Sequence, residues 1–378
     1  MPKTKPSVFD GQNISASEFF QAHWQRSPFL FRNTSLKLNY LPSIEQLFEL
    51  ASWENVQSRI VFSEDDVHYQ AIYDEPEAWD EVTNFKPTLL VSDIEKWHPK
   101  AMQIMSWFPF IKNWRFDDLM MSYAPKGASV GAHTDHYDVF LIQVQGTRQW
   151  SFDDQPLANK EVVENSELAV LTNYQPQHSV ELKPGDILYL PPEIPHHGVS
   201  TSDDCVTCSI GLRAPADSEL LNSVIELLNE SSNEAHRFTD ATSYARPDNA
   251  IGSHEIKYLR LRLQQIADLS DEALAQLFGQ TVTNYRVFED TDHSISKFKD
   301  TSLWQKSPFA VFAYYPLSDE DALLMINGEA QKTSLRCAEM ICNNDYFAIN
   351  GMNQDDNENT ILKNLIENQI ICPAQQDN

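Results

Sequence analysis

A chain of 378 residues, 42% hydrophobic and 11% aromatic, is long enough for two or three domains with a filled core and excludes a disordered polymer. Its formal charge of −27 disfavours direct contact with nucleic-acid phosphates and would attract a basic protein. Five cysteines without framework spacing, no apolar leader after Met1, and no apolar run approaching about 18 residues argue for a soluble protein of the reducing cytoplasm, off the membrane.

In chain order, Ser15-Ala-Ser-Glu18 is a capping-box pattern that starts a short helix carrying Phe19, Phe20 and Trp24. Pro28–Arg32 reads as a strand, Ser43–Ala51 as a helix, and Ser58–Phe62, His68–Tyr73 and Thr88–Val91 as strands. Trp97–Trp114 is an aromatic and Met-rich packing stretch. From Asp117 onward short strands crowd together at Leu119–Tyr123, Tyr137–Val144, Arg148–Phe152, Ser179–Leu182, Ile187–Leu190 and Cys205–Leu212. Gln145-Gly-Thr147 makes a hairpin turn, Pro184-Gly-Asp186 feeds an apolar strand, and Pro191-Pro192 ends it. The spacing Cys205-Val-Thr-Cys208 lies inside an apolar run and reads as core strand. The pattern is that of a double-stranded β-helix, a cupin-type jelly roll.

After Pro215 the period becomes helical, with Leu220, Leu221, Val224, Leu227 and Leu228, then Ile256, Leu259, Leu263 and Ile266, then a helix from Asp271 to Phe278 ending at Gly279. The apolar stripe of residues 216–280 either packs on the barrel or makes a dimerisation segment, and a homodimer is expected. Residues 281–378 combine a strand Phe309–Pro316, a hairpin at Asn327-Gly328 after Ala322–Ile326, and helices Leu335–Asn343 and Thr360–Glu367. That is a winged-helix-like, acidic domain without a basic recognition stripe. The fold class is α+β, with residues 1–215 as the catalytic domain.

The chemistry concentrates in Gly131-Ala-His-Thr-Asp-His-Tyr-Asp138 and Leu190-Pro-Pro-Glu-Ile-Pro-His-His-Gly198. On an extended strand His133 and Asp135 share a face, and a histidine from a neighbouring strand, His196 or His197, completes a 2-His-1-carboxylate set. Such a set leaves coordination positions open and suits non-haem Fe(II) in oxygenases. His136 points to the opposite face. Arg148 lies on the hairpin partner of a buried strand, where a guanidinium needs a counter-charge. The C5 carboxylate of 2-oxoglutarate would supply one bidentately. Tyr137 and Asp138, beside the motif, are either core and loop residues or, should the substrate side chain be cationic, its contacts.

His133-Thr-Asp-His-Tyr-Asp138, the G-T-R-x-W of the following hairpin, Pro191-Pro-x-x-Pro-His-x-Gly198 and the opening Gln21-x-His-Trp-x-x-x-Pro-Phe-Leu-Phe-Arg32 together resemble the JmjC-type ribosomal oxygenases. Among these, the likeness is to the bacterial 50S ribosomal protein arginine 3-hydroxylase group. The resemblance implies Fe(II) on His133, Asp135 and His196, with 2-oxoglutarate anchored by Arg148 with Ser122, and O2 as oxidant. It also implies a basic substrate, an arginine of large-subunit ribosomal protein sixteen, hydroxylated at C3. Two other readings compete: a JmjC hydroxylase acting on histidine or another residue, and a non-catalytic cupin scaffold holding a basic ribosomal protein.

Overall fold

The computed structural model describes residues 6–230, 238–239, 251–285, 303–344, 346–348 and 356–374. Contacts divide the chain into two compact units, Met1–Arg213 and Ala214–Asn378.

The first unit is a double-stranded β-helix. Its larger sheet joins β1 (Phe29–Phe31), β2 (Ser58–Ser63), β3 (Tyr69–Tyr73), β4 (Thr88–Val91), β5 (Phe116–Ala124), β6 (Asp138–Gln145), β9 (Ile187–Leu190) and β11 (Cys205–Leu212). The order across it is β1-β9-β6-β11-β5-β4-β2-β3. The smaller sheet is formed by β7 (Arg148–Phe152), β8 (His178–Leu182) and β10 (His196–Ser200), in the order β10-β7-β8. The segment after β5 extends this sheet without regular strand geometry. Gly127 donates to Ser200 O, Ser200 donates to Ala128 O, and His133 and His196 exchange both backbone bonds.

Alternation along β6 sorts its side chains between two apolar layers. Val139 and Leu141 turn inward to Trp150, Leu182, Leu188 and Leu190 of the barrel core. Phe140 and Ile142 turn outward into a layer built from the N-terminal segment. There Phe19 of the helix Ala16–Ala22 meets Tyr189 edge-on at 5.1 Å between ring centroids, and Phe108 meets Phe140 at 4.9 Å. That helix begins at a reciprocal capping box between Ser15 and Glu18, and the helix Ile44–Ala51 uses the same device with Ser43 and Gln46. The aromatic opening of the chain is thus the cover of the larger sheet. Cys205 and Cys208 are buried, free thiols of β11.

A long connection between β7 and β8 folds back over the barrel. Its Ser166 hydroxyl and Glu167 carboxylate accept from the backbone N–H groups of Tyr69 and Ala71 on the edge strand β3, and Glu167 N–H donates to Tyr69 O. Val170 packs with Val61, Tyr69 and Leu90.

In the second unit helices span Asp217–Glu230, Ser253–Ala267 and Asp271–Thr283. They are followed by an antiparallel meander of β13 (Phe312–Pro316), β14 (Asp321–Ile326) and β15 (Glu329–Ser334), then helices Leu335–Asn343 and Asp356–Glu367. A second small sheet pairs β12 (Trp304–Lys306) with β16 (Tyr346–Phe347) and β17 (Ile371–Pro373). The third helix does not stop at Gly279, as its sequence suggests, but continues to Thr283. Gly279 is there for packing, since a Cβ would lie 2.3 Å from Met325 Cε on β14. The side chains of Leu227 and Leu228 lie outside the described residues. Among the described residues no helix is long and apolar enough to cross a membrane.

Candidate active site

The two motif stretches are laced together by main chain. His133 N–H donates to His196 O at 3.0 Å, His196 N–H to His133 O at 2.9 Å, and Glu193 N–H to Asp135 O at 2.7 Å. Such a mutually bonded pair carries its side chains on one face of the sheet. The two imidazoles accordingly stand 4.3 Å apart between ring centroids. Asp135, two residues beyond His133, comes to the same place, its Oδ2 3.6 Å from His196 Nε2. One ligand atom from each of the three residues falls within 4.8 Å of the other two, close enough for one metal ion.

Both rings are held in the tautomer a metal requires. Nδ1 of His133 donates to Gly131 O at 3.0 Å and Nδ1 of His196 to Ile194 O at 3.0 Å. Nε2 is therefore left as the lone-pair atom on each. Burial, then the neighbouring His133, pull the His196 imidazole down to about 4, against which Asp135 acts. It stays neutral, the form that coordinates. His197 faces away, with Nε2 2.9 Å from Ser129 Oγ, so His196 is the histidine beside Asp135. His136 also points outward, to the Glu193 carboxylate.

The three residues open into a cavity of about 550 Å³ that reaches Arg148 and Ser122 at its far end. Arg148 is 5% exposed, and its Nε and Nη2 have no hydrogen-bond partner. Its guanidinium lies 5.7 Å from the Trp150 ring centroid. Among the described residues no carboxylate pairs with it. A buried charge in that state calls for an anionic ligand, and the fork fits a carboxylate bidentately. The donor set thus fits a divalent metal at one end of the cavity and the distal carboxylate of a 2-oxo dicarboxylic acid at the other. Gly198 makes this arrangement possible: it pairs with Trp150, and a Cβ there would lie 2.7 Å from the indole.

Tyr137 lines the cavity. Desolvation and then the Asp135, Asp118 and Asp117 carboxylates raise its phenol above the ordinary range, so it stays protonated. Asp138 does not reach the cavity. One residue further along the strand, it points to the other face and is fully buried. There it accepts from Tyr189 Oη at 2.6 Å and Gln25 Nε2 at 3.0 Å and pairs with Arg115 Nη2 at 2.9 Å. It ties the N-terminal cover to the barrel and is no substrate contact. The acids that do line the cavity are Asp117 and Asp118 on β5 and Asp93, none of which stood out in the sequence. Asp118 shares parity with Met120 and Ser122 on a strand whose apolar pattern is weak at that end, whereas Asp117 and Asp93 carry no such signal. Thr88 on β4 was missed as well.

A family profile for the JmjC domain matches residues 103–220. A curated protein of Haemophilus influenzae named probable ribosomal oxygenase is 36% identical over 223 residues, which is 56% of this chain and 53% of that protein, about half its length. The Escherichia coli protein named ribosomal protein uL16 3-hydroxylase is 30% identical over 271 residues, 71% of each chain. Among solved structures, E. coli YcfD superposes with a TM-score of 0.81 at 24% identity, covering 95% of this chain and 98% of that one. YcfD in complex with cobalt and 2-oxoglutarate gives a TM-score of 0.80 at 23% identity with the same coverage. With the iron-type ligand cluster, the unanswered arginine and the barrel in place, the chain belongs to the JmjC family of ribosomal oxygenases.

Proposed function

We propose that the chain is an Fe(II)- and 2-oxoglutarate-dependent protein hydroxylase that hydroxylates C3 of an arginine in the basic large-subunit ribosomal protein uL16. The observation that carries this reading is the buried Arg148 guanidinium, unanswered by any carboxylate among the described residues, in the same cavity as His133, Asp135 and His196. The substrate follows from the relative named for uL16 3-hydroxylation, and it accords with a chain of charge −27 and with Asp117 and Asp118 lining the cavity.

Bound ferrous iron supplies the redox chemistry of the overall change, in which R–H, O2 and 2-oxoglutarate become R–OH, succinate and CO2. The protein supplies placement. Nε2 of His133, Nε2 of His196 and an Asp135 carboxylate oxygen would hold the ion from one side, their orientations fixed by the Gly131 and Ile194 carbonyls and by the Glu193 N–H bond to the Asp135 carbonyl. Arg148, with Ser122, would anchor the co-substrate at the closed end. Val139, Leu141 and Trp150 line the space between and exclude water from it. Tyr137 offers a ring face to a guanidinium whose charge Asp117 and Asp118 would balance.

We further assign residues 1–215 to catalysis, 216–280 to homodimerisation and 281–378 to a winged-helix-like domain for protein contact. Leu221 and Ile225 on one helix and Ile256, Leu259 and Leu263 on the next stand exposed, which supports a second copy as their cover. No direct nucleic-acid contact is assigned, and the compartment is the cytoplasm.

The test is turnover with a peptide of uL16 spanning its arginines. Succinate release dependent on Fe(II) and peptide is expected, with a mass gain of one oxygen on arginine. Asp135→Ala should abolish both, and Arg148→Ala should raise the 2-oxoglutarate concentration needed. Oxygen on histidine instead would move the assignment to that residue, and no turnover with intact ribosomal protein would leave only a scaffold.

A further inference from the structure

We propose that Thr88 is a third anchor for the distal carboxylate of the co-substrate, beside Arg148 and Ser122, and that it makes the cavity prefer dicarboxylic over monocarboxylic 2-oxo acids. The inference rests on the co-substrate reading above. Thr88 is 1% exposed, its Oγ1 has no hydrogen-bond partner, and it lines the same cavity as Arg148 and Ser122.

Its place follows from register. Leu90 on β4 pairs with Ser122 on β5, and both line the cavity. Thr88, two residues before Leu90, shares that face. It lies one step past Leu89, the partner of Tyr123, and so falls level with Ala124 at the end of β5. The chain then turns and bonds at Gly127 and Ala128 to Ser200, the residue paired with Arg148. Thr88 and Arg148 therefore belong to the same end of the barrel. His196, paired with Phe152, stands at the opposite end of β7.

The chemistry agrees with the placement. A buried hydroxyl with no partner destabilises a protein, and valine would fill the same space without that penalty. A carboxylate offers about four acceptor positions, two of which an arginine fork takes. The hydroxyls of Ser122 and Thr88 would occupy the others. A 2-oxo acid lacking the distal carboxylate gives Thr88 nothing to bind.

The experiment uses the full chain loaded with Mn(II) without oxygen, as wild type, Thr88→Val and Thr88→Ser, with Thr88→Ala standing in should the valine variant misfold. Dissociation constants are measured for 2-oxoglutarate, succinate and 2-oxovalerate, with melting temperatures of the metal-free forms. Thr88→Val should weaken 2-oxoglutarate and succinate by about tenfold, the worth of one hydrogen bond to a charged acceptor. Thr88→Ser should bind like wild type, 2-oxovalerate should not distinguish the variants, and Thr88→Val should melt no lower than wild type. Equal 2-oxoglutarate binding by wild type and Thr88→Val overturns the role of Thr88 alone, as does an equal loss for 2-oxovalerate, which would mean a packing effect or a resident water. A wild type that binds no 2-oxoglutarate removes the co-substrate reading and this inference together.

Discussion

At the scale of residues, His196 couples the site to acidity. Its imidazole is pulled down to about 4, first by burial and then by His133, whereas in an unfolded chain histidine titrates near about 6.5. Between those values the unfolded chain holds a proton here that the folded chain refuses, so stability rises with pH across the window and is lost as pH falls through it. The melting temperature of the metal-free protein should therefore drop as pH is lowered from 6.5 toward 4, more steeply than in His196→Asn. Equal slopes would mean that other groups carry the acid sensitivity. The cluster of His133, Asp135 and His196 was legible in sequence because i, i+2 spacing and a distal histidine are local signals. Asp138 was misread for the same reason: adjacency to the motif suggested the mouth, while strand parity turned it the other way. Since β6 is apolar on both faces, its pattern could not display which face was which. Thr88, Asp117 and Asp118 became visible only when the sheet brought β4 and β5 against β7.

At the scale of elements, the pairing of β7 with β10 is what holds the cavity in shape. Arg148 and Trp150 on one strand face the cavity with His196 on the other, and the indole lies over Gly198. Gly198→Ala places a methyl where the ring is, and the rigid ring has to move. Overpacking of this kind costs about 1–3 kcal/mol, a fall of about 2–12 °C in melting temperature for a domain of this size. Co-substrate affinity should weaken in parallel, because Arg148 rests on the displaced ring. An unchanged melting temperature would show that the indole has room to retreat. Strands were well marked in the sequence where a turn signal bounded an apolar run, as with Ile187–Leu190, or returned one as a hairpin, as with Arg148–Phe152. The helix Asp271–Thr283 shows the opposite case. A glycine that ends helices by its backbone freedom served instead to admit Met325, a distinction only the packed partner reveals.

At the scale of the whole molecule, the expectation is a dimer. The exposed leucines and isoleucines of the helices Asp217–Glu230 and Ser253–Ala267 should be covered by a second copy, giving a solution mass of twice 43.3 kDa. Leu259→Asp with Leu263→Asp should shift light scattering to the monomer mass and leave turnover on a short peptide intact. A wild-type monomer at every concentration would end that assignment. The helical period disclosed the apolar stripe, but what covers it is not written in one chain. The connection between β7 and β8 carries a different consequence. Leu168, Ala169 and Val170 wall the cavity, while Ser166 and Glu167 occupy donors of the outermost strand. Shape of the cavity wall and protection against strand-on-strand aggregation are thus vested in one stretch. Lineages or engineers that trim it to admit a new substrate would expose a sticky β-edge, so changes of specificity here are expected by substitution within the loop and not by its deletion.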